Sequence, residues 1–341
     1  MAAGLNDLGW DVEVWPWGHR SDTESILEKL IGRFLDARAL SRSLLVHRPD
    51  FLVINTGLDW RSVIRDVVLT QNMRDAVPLS ILQPHGSQSQ RLVEPGHWLF
   101  KRLVRMLLRA VDAVFVLSTE ELGHLSAFSP RTPAYVVQNP FDPDCLASVS
   151  PTQEKSGFTA LFVGRLVRSK GIFDLISAAA DVDGDGILDV LLVGDGPDRK
   201  EAERMVARLD LQDHVRFRGH CDGQALSSCY TSADVLVLPS YSEGFPTVVA
   251  EAMAFGLPIA CTELRGVVDY LGGEDNALFF PAGNVEELRA SILRLRDDPS
   301  LRRRMRENNH ELVKRFHPTL VAANYRSLIE RLLLKKEESA L

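Results

Sequence analysis

The chain has few cysteines, no excess of positive charge and no long hydrophobic segment, and each deficit argues against a class of protein. Its 341 residues include four cysteines without a C-x-x-C pair or zinc-site spacing, so small buried thiols in a reducing cytoplasm fit best. The 39 basic residues are outnumbered by 46 acidic ones, and a net charge of −7 gives no nucleic-acid-binding footprint. No apolar run approaches the roughly 18 residues that a membrane-spanning helix needs.

Short apolar segments alternate with longer amphipathic ones along the whole chain. The short segments are near-continuous Val, Leu and Ile, as expected of strands buried on both faces of a parallel sheet. The predicted strands are 11–15, 51–55, 79–83, 113–117, 135–138, 160–163, 190–193, 215–218, 235–238, 258–261 and 277–280. The predicted helices include 172–180, 199–209, 285–295, 301–315 and 320–334. This alternation predicts an α/β protein with parallel sheets.

A segment rich in Pro, Ser and Asp, residues 142–157, divides the chain into two halves. Each half contains several βα repeats, and 341 residues suit two domains better than one. The sequence therefore predicts two α/β domains joined near residue 150.

The most informative segment runs from Glu243 to Glu251 and follows the apolar segment 234–240. Pro246 stands where a helix would begin, because its fixed φ suits the first helical position. The free N–H groups of a helix N-terminus bind phosphate, and carboxylates accept hydrogen bonds from hydroxyl groups. A nucleotide sugar carries both kinds of group. The plainer alternative is that the two glutamates are caps or solvated side chains.

Two basic residues follow the strand predicted at 160–163. Arg165 and Lys170 suit a diphosphate leaving group, whose charge has to be neutralised, and Gly164 allows close approach of the backbone. The spacing is not that of a P-loop. A solvated basic loop is the alternative.

Three further strand ends carry candidate residues. Gly194 begins a segment that resembles a dinucleotide fingerprint, but Arg199 replaces its last glycine, so NAD binding is not expected. Arg218 and Gly219 end another strand, where the backbone could meet the edge of a nucleobase. His85 ends a strand of the first half, and a single histidine in such a place is more often structural.

These motifs occur in an order and spacing that resembles the family-4 retaining glycosyltransferases of the GT-B fold. The motifs that carry the resemblance are Gly164-Arg165, Lys170-Gly171, Gly194-Asp195-Gly196-Pro197, Arg218-Gly219 and the Glu243/Glu251 pair. It implies two Rossmann-like domains with parallel sheets facing a cleft. Residues 1–145 would form the acceptor-side domain and residues 157–318 the nucleotide-sugar domain, and the C-terminal helix 319–336 would pack back on the first.

The resemblance implies a role for each matching residue. The expected catalytic residues are Arg165, Lys170, Glu243 and His85. The expected donor-binding residues are Gly164, Gly194, Arg218, Gly219, Phe245, Thr247, Val248 and Glu251. Arg165 and Lys170 would hold the donor diphosphate, Glu243 the sugar hydroxyls and Glu251 the ribose hydroxyls. His85 would face the donor sugar across the cleft.

The implied reaction is transfer of a sugar to an acceptor hydroxyl with retention, by front-face displacement, without a metal or other cofactor. The acceptor would be a glycan or lipid-linked molecule of bacterial polysaccharide, lipopolysaccharide or glycolipid assembly. Two alternatives remain: a nucleotide-sugar epimerase, which the Glu243/Glu251 pair fits poorly, and a degenerate, non-catalytic protein that binds a nucleotide sugar or a partner.

The N-terminal residues depart from the family pattern. The family begins with a strand and a glycine-rich loop, whereas residues 1–9 read as the first helix and residues 10–15 as the second strand. The first strand of the N-terminal domain therefore appears to be missing, and we expect the chain as given to be a fragment or to have a mis-assigned start, and to be inactive or unstable.

A basic amphipathic segment, residues 97–109, predicts a helix that packs on the first sheet through Leu99, Leu103, Met106 and Leu107. The alternative is that its basic residues bring a cytoplasmic protein to the inner face of the plasma membrane by contacting anionic lipid.

Overall fold

The computed structural model describes residues 1–15, 26–73, 76–85, 89–141, 143, 157–180 and 188–340. The chain forms two compact units, residues 1–138 with 321–341 and residues 139–320. Cys145 and nearly all of the predicted boundary segment 142–157 lie outside the described residues. No helix within the described ranges is long and apolar enough to cross a membrane.

The first unit is built on a parallel sheet whose strands lie in chain order. These strands are β1 (Phe51–Thr56), β2 (Leu79–Pro84), β3 (Ala113–Val116) and β4 (Ala134–Val136). The helices that precede and connect them are α1 (Ala2–Asp7), α2 (Ile26–His47), α3 (Trp60–Met73), α4 (Gln90–Val93), α5 (Trp98–Arg109) and α6 (Thr119–Phe128). All four predicted strands from residue 51 to 138 are confirmed, and the apolar residues of the two central strands, β2 and β3, are buried.

The prediction of a strand at residues 11–15 is wrong, since these residues have no regular secondary structure. The backbone N–H of Val12 donates to Asn6 Oδ1 at 2.8 Å. Trp10 contacts the edge strand of the sheet, with its ring 5.1 Å from that of Phe51. Trp10 and Val12 pack against the core beside the sheet, whereas Val14 is 76% exposed. The alternating apolar pattern therefore does not make a strand, because a strand exists only where a neighbouring strand completes its hydrogen bonds.

The second unit is a six-stranded parallel sheet flanked by helices. Its strands are β5 (Thr159–Val163), β6 (Asp189–Val193), β7 (Val215–Gly219), β8 (Val235–Leu238), β9 (Ile259–Thr262) and β10 (Ala277–Phe280). Its helices are α7 (Ile172–Ala180), α8 (Arg199–Arg208), α9 (Gly223–Ser232), α10 (Thr247–Ala254), α11 (Arg265–Val268), α12 (Val285–Asp297) and α13 (Pro299–Val313). The six strands predicted here are confirmed to within a residue or two at each end.

The strand order of the second sheet, β10-β9-β8-β5-β6-β7, reverses between β5 and β8. From β5 the chain proceeds outward through β6 and β7, and then returns to build β8, β9 and β10 on the other side. Connections therefore leave the carboxyl ends of β5 and β8 in opposite directions and open a crevice between them. Ligands of open α/β sheets bind in such crevices.

Backbone hydrogen bonds join the loops at the carboxyl edge of this sheet. The N–H of Gly164, after β5, donates to Val193 O at 3.0 Å, and the N–H of Gly194, after β6, donates to Gly219 O at 2.7 Å. Gly194 has φ +128°, and a Cβ there would lie 2.0 Å from Gly164 O. The loops after β5, β6 and β7 thus form one connected edge that requires glycine at residue 194.

The last helix, α14 (Pro318–Ala340), belongs to the first unit from Val321 onward. Its buried face packs on the first sheet, in a cluster with Leu79, Ile81 and Phe115. The helix side chains of this cluster are Val321, Ala322, Tyr325, Leu328, Ile329 and Leu332. Gln83 Nε2 donates to the Tyr325 hydroxyl at 2.6 Å. Helix α14 therefore supplies one wall of the first unit's core.

Replacement of Ile329 by alanine should destabilise the first unit by about 2–5 kcal/mol, because it leaves a cavity in a packed core. The Ile329 side chain is fully buried. Leu334 lies on the same helix and is 60% exposed, so Leu334→Ala should change the free energy of unfolding by no more than about 0.5 kcal/mol. Urea unfolding followed by circular dichroism measures both. Equal losses in the two variants would contradict the packing of α14.

Replacement of Gly194 by alanine should destabilise the second unit by at least about 1–3 kcal/mol, because the new Cβ collides with Gly164 O and alanine disfavours this φ. Gly123 offers a control, since it lies inside α6 and a Cβ added there would have no neighbour within 4 Å. Gly123→Ala should stabilise its helix by about 0.5–1 kcal/mol. Thermal or urea unfolding compares the two, and a neutral Gly194→Ala would disprove the close loop approach.

Candidate functional site

Lys170 and Glu243 meet where the strand order of the second sheet reverses. Lys170 ends a 3-10 turn, Arg168–Lys170, that follows β5, and Glu243 lies in the loop after β8. The Lys170 ammonium and the Glu243 carboxylate form an ion pair, with their side chains 28% and 14% exposed. The crevice thus holds a partly desolvated cation and anion side by side.

The loops that carry this pair are fixed to each other. The backbone N–H of Tyr241 donates to Ser169 O at 2.9 Å, and the Tyr241 hydroxyl donates to Asp174 Oδ2 at 2.9 Å. The hydrogen bond to Asp174 raises the pKa of Tyr241. Gly171 has φ +70°, and a Cβ there would lie 2.0 Å from Pro239 O. A glycine after Lys170 is therefore what lets the two loops approach so closely.

Arg165 is the exposed cation of the site. Its guanidinium has no hydrogen bond or ion pair with any residue in the described part of the chain. Arg168, its neighbour in sequence, is engaged elsewhere: its guanidinium donates to Glu201 at 2.7 Å and lies 4.3 Å from the ring centre of Phe173. Of these two arginines, only Arg165 is without a partner among the described residues and can meet an anionic ligand.

Helix α10 begins beside Glu243 and has no side-chain cap. The helix begins at Thr247, one residue later than predicted, and Pro246 is its N-cap. Thr247 is exposed and Val248 is half-buried. Phe245 is buried and stacks on the Phe316 ring at 4.6 Å. The loop is thus anchored from below by an aromatic ring, and the first N–H groups of α10 remain available to an anion.

Glu251 lies one turn into α10 and is half-buried. The hydroxyl of Tyr230, on α9, donates to Glu251 Oε2 at 2.6 Å. The Tyr230 ring is fully buried and stacks on Phe255, with 5.0 Å between ring centres and 10° between planes. Tyr230 was not among the predicted site residues, because no periodicity or motif links it to a glutamate 21 residues later.

Arg218 and Gly219 form the carboxyl end of β7, an edge strand. Gly219 has φ +79° and binds the loop after β6 through its carbonyl oxygen. Arg218 is exposed and, together with Cys229 of α9, lines a cavity of about 340 Å³ between β7 and α9. Burial, reinforced by the nearby Cys221, raises the pKa of the Cys229 thiol to about 11. Cys229 is therefore a neutral thiol at physiological pH.

His85 follows β2 in the first unit. Its backbone N–H donates to Thr56 O at 2.6 Å, and its Nε2 lies 3.0 Å from Asn55 Oδ1, which places a proton on Nε2. The ring is accessible to solvent, yet the surrounding protein atoms desolvate it enough to lower its pKa. His85 is therefore a neutral imidazole at pH 7.

The structure brings most of the predicted residues to one edge of the second sheet. Arg165, Lys170 and Glu243 lie at the ends of β5 and β8, and Gly164, Gly194 and Gly219 share one backbone network there. Ser240, at the end of β8, was missed: it is fully buried, and its hydroxyl has no hydrogen-bond partner within the described ranges. The residues of this edge combine cations, carboxylates and free N–H groups, as a phosphorylated polyol requires.

Comparison with known sequences supports this interpretation. Residues 148–312 match the family of glycosyl transferases group 1. An α-D-kanosaminyltransferase of Streptomyces kanamyceticus is 30% identical over 252 residues, which are 68% of this chain and 64% of that protein. The lipopolysaccharide core biosynthesis glycosyltransferase LpsD of Rhizobium meliloti (strain 1021) is 33% identical over 181 residues, 52% of this chain and 51% of that protein. The chain thus spans between about half and two thirds of these relatives.

Solved structures share the architecture. Sucrose-phosphate synthase from Thermosynechococcus elongatus has a TM-score of 0.76 and 23% identity, covering 93% of this chain and 81% of that one. Anabaena HepE in complex with UDP and glucose has a TM-score of 0.71 and 18% identity, covering 90% and 83%. The chain therefore has the GT-B fold, and the comparisons support a group 1 glycosyltransferase domain over residues 148–312.

Proposed function

We propose that this protein is a retaining glycosyltransferase that moves a sugar from a nucleotide-sugar donor to an acceptor hydroxyl. The observation that carries the proposal is the pairing of Lys170 with Glu243 at the strand-order reversal, beside the exposed Arg165. Two cations suit the diphosphate of such a donor, and a carboxylate suits the hydroxyls of its sugar. The solved structure of HepE with UDP and glucose, which has the same fold, supports this choice of ligand.

In the proposed reaction, the bond between the anomeric carbon and the diphosphate oxygen breaks, and its electron pair leaves with the diphosphate. The acceptor oxygen forms its new bond to the anomeric carbon on the same face, and its proton passes to the departing diphosphate oxygen. Arg165, Lys170 and the N–H groups of α10 would stabilise the negative charge that develops on the leaving group. Because these positive groups would stabilise the leaving group, we propose that the reaction needs no metal ion or other cofactor.

The remaining site residues would position the donor. Glu243 would accept hydrogen bonds from the sugar, and Glu251 from the ribose. Backbone groups near Gly219 would border the base. His85, as a neutral imidazole, would hydrogen-bond the sugar without adding positive charge near the anomeric centre. Contacts with these groups would orient the donor for displacement of the diphosphate at the anomeric carbon.

Two relatives, a lipopolysaccharide core biosynthesis glycosyltransferase and a 2-deoxystreptamine glucosyltransferase, suggest the acceptor class. We propose a glycan or lipid-linked acceptor of bacterial polysaccharide, lipopolysaccharide or glycolipid assembly, and action in the cytoplasm. A nucleotide-sugar epimerase is disfavoured, because it needs an acid–base pair around the sugar rather than a cationic diphosphate clamp. A non-catalytic nucleotide-sugar-binding protein would keep the same clamp, so turnover has to separate it from an enzyme.

Without added metal, one of UDP, GDP or ADP, or a common sugar derivative of one, should raise the melting temperature of the 1–341 chain. At a ligand concentration of about 100 times Kd, binding adds about 2.7 kcal/mol of stability. Lys170→Met and Glu251→Ala should each reduce the shift, whereas Lys200→Met, at an exposed residue of α8, should retain it. Differential scanning fluorimetry measures the shift.

A cooperative melt with no shift for any of these nucleotides would disprove the donor proposal. If a nucleotide sugar does bind, incubation with free sugar and lipid acceptors, analysed by mass spectrometry, tests transfer. Binding of a nucleotide sugar without a transferred product would favour the non-catalytic alternative.

We also propose that helix α5 contacts anionic membrane lipids. The prediction for its apolar face was wrong in part: Leu99 and Met106 are exposed rather than packed on the sheet. The residues that do pack inward are Phe100, Val104, Leu107 and Leu108. Trp98, at 74% exposure, adds an aromatic ring to the outward face. A soluble helix gains nothing from these exposed apolar side chains, whereas a bilayer interface would bury them.

The outward face of α5 also carries positive charge from Arg102, Arg105 and Arg109. The Arg105 guanidinium lies 4.4 Å from the ring centre of Phe128, which holds it near the helix surface. Cations interleaved with Trp, Leu and Met side chains are typical of helices that lie in the interface of an anionic bilayer. Anionic lipid is therefore the partner whose charge complements this face.

The double variant Arg102→Glu/Arg109→Glu should bind vesicles containing phosphatidylglycerol at least ~30-fold more weakly than the native chain. This factor assumes that each basic residue near a charged membrane surface contributes about 1 kcal/mol to binding, so that losing two of them costs about 2 kcal/mol. Lys200→Glu/Arg208→Glu, on the exposed face of α8, is the matched control and should bind as the native chain does. Vesicle co-sedimentation measures both. Equal binding to neutral phosphatidylcholine vesicles, or no effect of the α5 reversal, would contradict the proposal.

A further inference from the structure

Resting on the proposed function, we propose that Tyr230 is a positioning residue for the donor ribose. Its hydroxyl holds the carboxylate of Glu251, the residue that would accept hydrogen bonds from the ribose hydroxyls. The distance from the Tyr230 hydroxyl to Glu251 Oε2 is 2.6 Å, as expected of a hydrogen bond to an ionised group. The inference adds to the ribose site a residue that does not itself touch the ligand.

The Tyr230 hydroxyl is well placed to hold a partner because its ring is tightly packed. The ring is fully buried in the core of the second unit, and it lies nearly parallel to the Phe255 ring. Phe255 follows the last residue of α10, the helix that carries Glu251. The stacking therefore fixes Tyr230 relative to the helix whose carboxylate it holds, and not only relative to α9.

Glu251 needs such a partner more than a shorter side chain would. A glutamate has three rotatable side-chain bonds, and ordering them on ligand binding costs conformational entropy. A hydrogen-bond donor of the protein, such as the Tyr230 hydroxyl, fixes one carboxylate oxygen before the ligand arrives. The ligand therefore does not have to order the Glu251 side chain when it binds. Since Glu251 is only half-buried, part of its side chain stays accessible to solvent while the Tyr230 hydroxyl holds its carboxylate.

A purely structural role for the same hydrogen bond makes a different prediction. A buried tyrosine hydroxyl needs an acceptor in any protein, and losing that bond would then affect stability or all ligands alike. A positioning role acts only through the ribose hydroxyls. The two roles are distinguished by a ligand that lacks those hydroxyls and is otherwise the same.

The experiment compares UDP with 2′,3′-dideoxyuridine diphosphate by isothermal titration calorimetry, or the matching guanosine or adenosine pair if the donor screen selects that base. The native 1–341 chain should bind UDP more tightly than the dideoxy analogue. Tyr230→Phe should weaken UDP binding by ~3–10-fold, because the ligand then has to immobilise the Glu251 side chain itself, and should leave the dideoxy analogue within about twofold. Tyr325→Phe, which removes another buried tyrosine hydroxyl, should change neither.

Glu251→Ala completes the test, because Tyr230 should act only through this carboxylate. Glu251→Ala should reduce UDP affinity to that of the dideoxy analogue, and adding Tyr230→Phe should cause no further loss. The ratio of the affinities for UDP and for the dideoxy analogue does not depend on the folded fraction. A less stable variant therefore still shows whether the ribose hydroxyls are recognised. Equal weakening of both ligands, or of neither, by Tyr230→Phe overturns the inference, as does a native chain that does not distinguish them. Absence of any nucleotide binding would instead defeat the proposed function itself.

Discussion

The parallel pairing of β5 with β8 determines where the paired charges of the candidate site lie. Ala160 lies opposite Val235 in this pair, which places the carboxyl ends of the two strands together. The loops that leave these ends carry Lys170 and Glu243, which are 73 residues apart in sequence. Without this one register, the cationic loop and the acidic loop would belong to different parts of the sheet.

The Lys170–Glu243 pair also shapes the electrostatics of the free protein. Each partner is largely shielded from water, and either one alone would be an uncompensated charge in the crevice. A diphosphate that attracts Lys170 and a sugar that donates to Glu243 would replace the internal partner of both groups at once. The two charges of the pair thus compensate each other in the free protein, and each remains matched to one end of the same ligand.

The sequence predicted the strands well because parallel strands buried on both faces carry an uninterrupted apolar signal, as in Val190–Val193 and Val235–Leu238. The same reasoning failed for residues 11–15, since side-chain alternation cannot show whether a neighbouring strand is present. It also misplaced the apolar face of α5, where the outward Leu99 resembles an inward leucine in any periodic pattern.

Contacts within the site were harder to predict than its location. The strand ends and their charged residues could be read from motifs, whereas the bond from Tyr230 to Glu251 depends on how α9 and α10 pack. Such packing is set by side chains spread over the chain, and no local spacing encodes it. The buried hydroxyl of Ser240 is a second case, because only the three-dimensional structure shows that it lacks a partner within the described residues.

The attachment of α14 to the first unit has a consequence for how the chain is made. The second unit is contiguous, residues 139–320, whereas the first combines residues 1–138 with the last helix. During synthesis the second unit can complete its core as soon as its own residues have emerged. The apolar side chains of Ile81 and Phe115 in the first unit are not covered by α14 until this helix has been synthesised. The unit that begins the chain is therefore the last to finish folding, and exposure of this apolar surface in the interval favours aggregation.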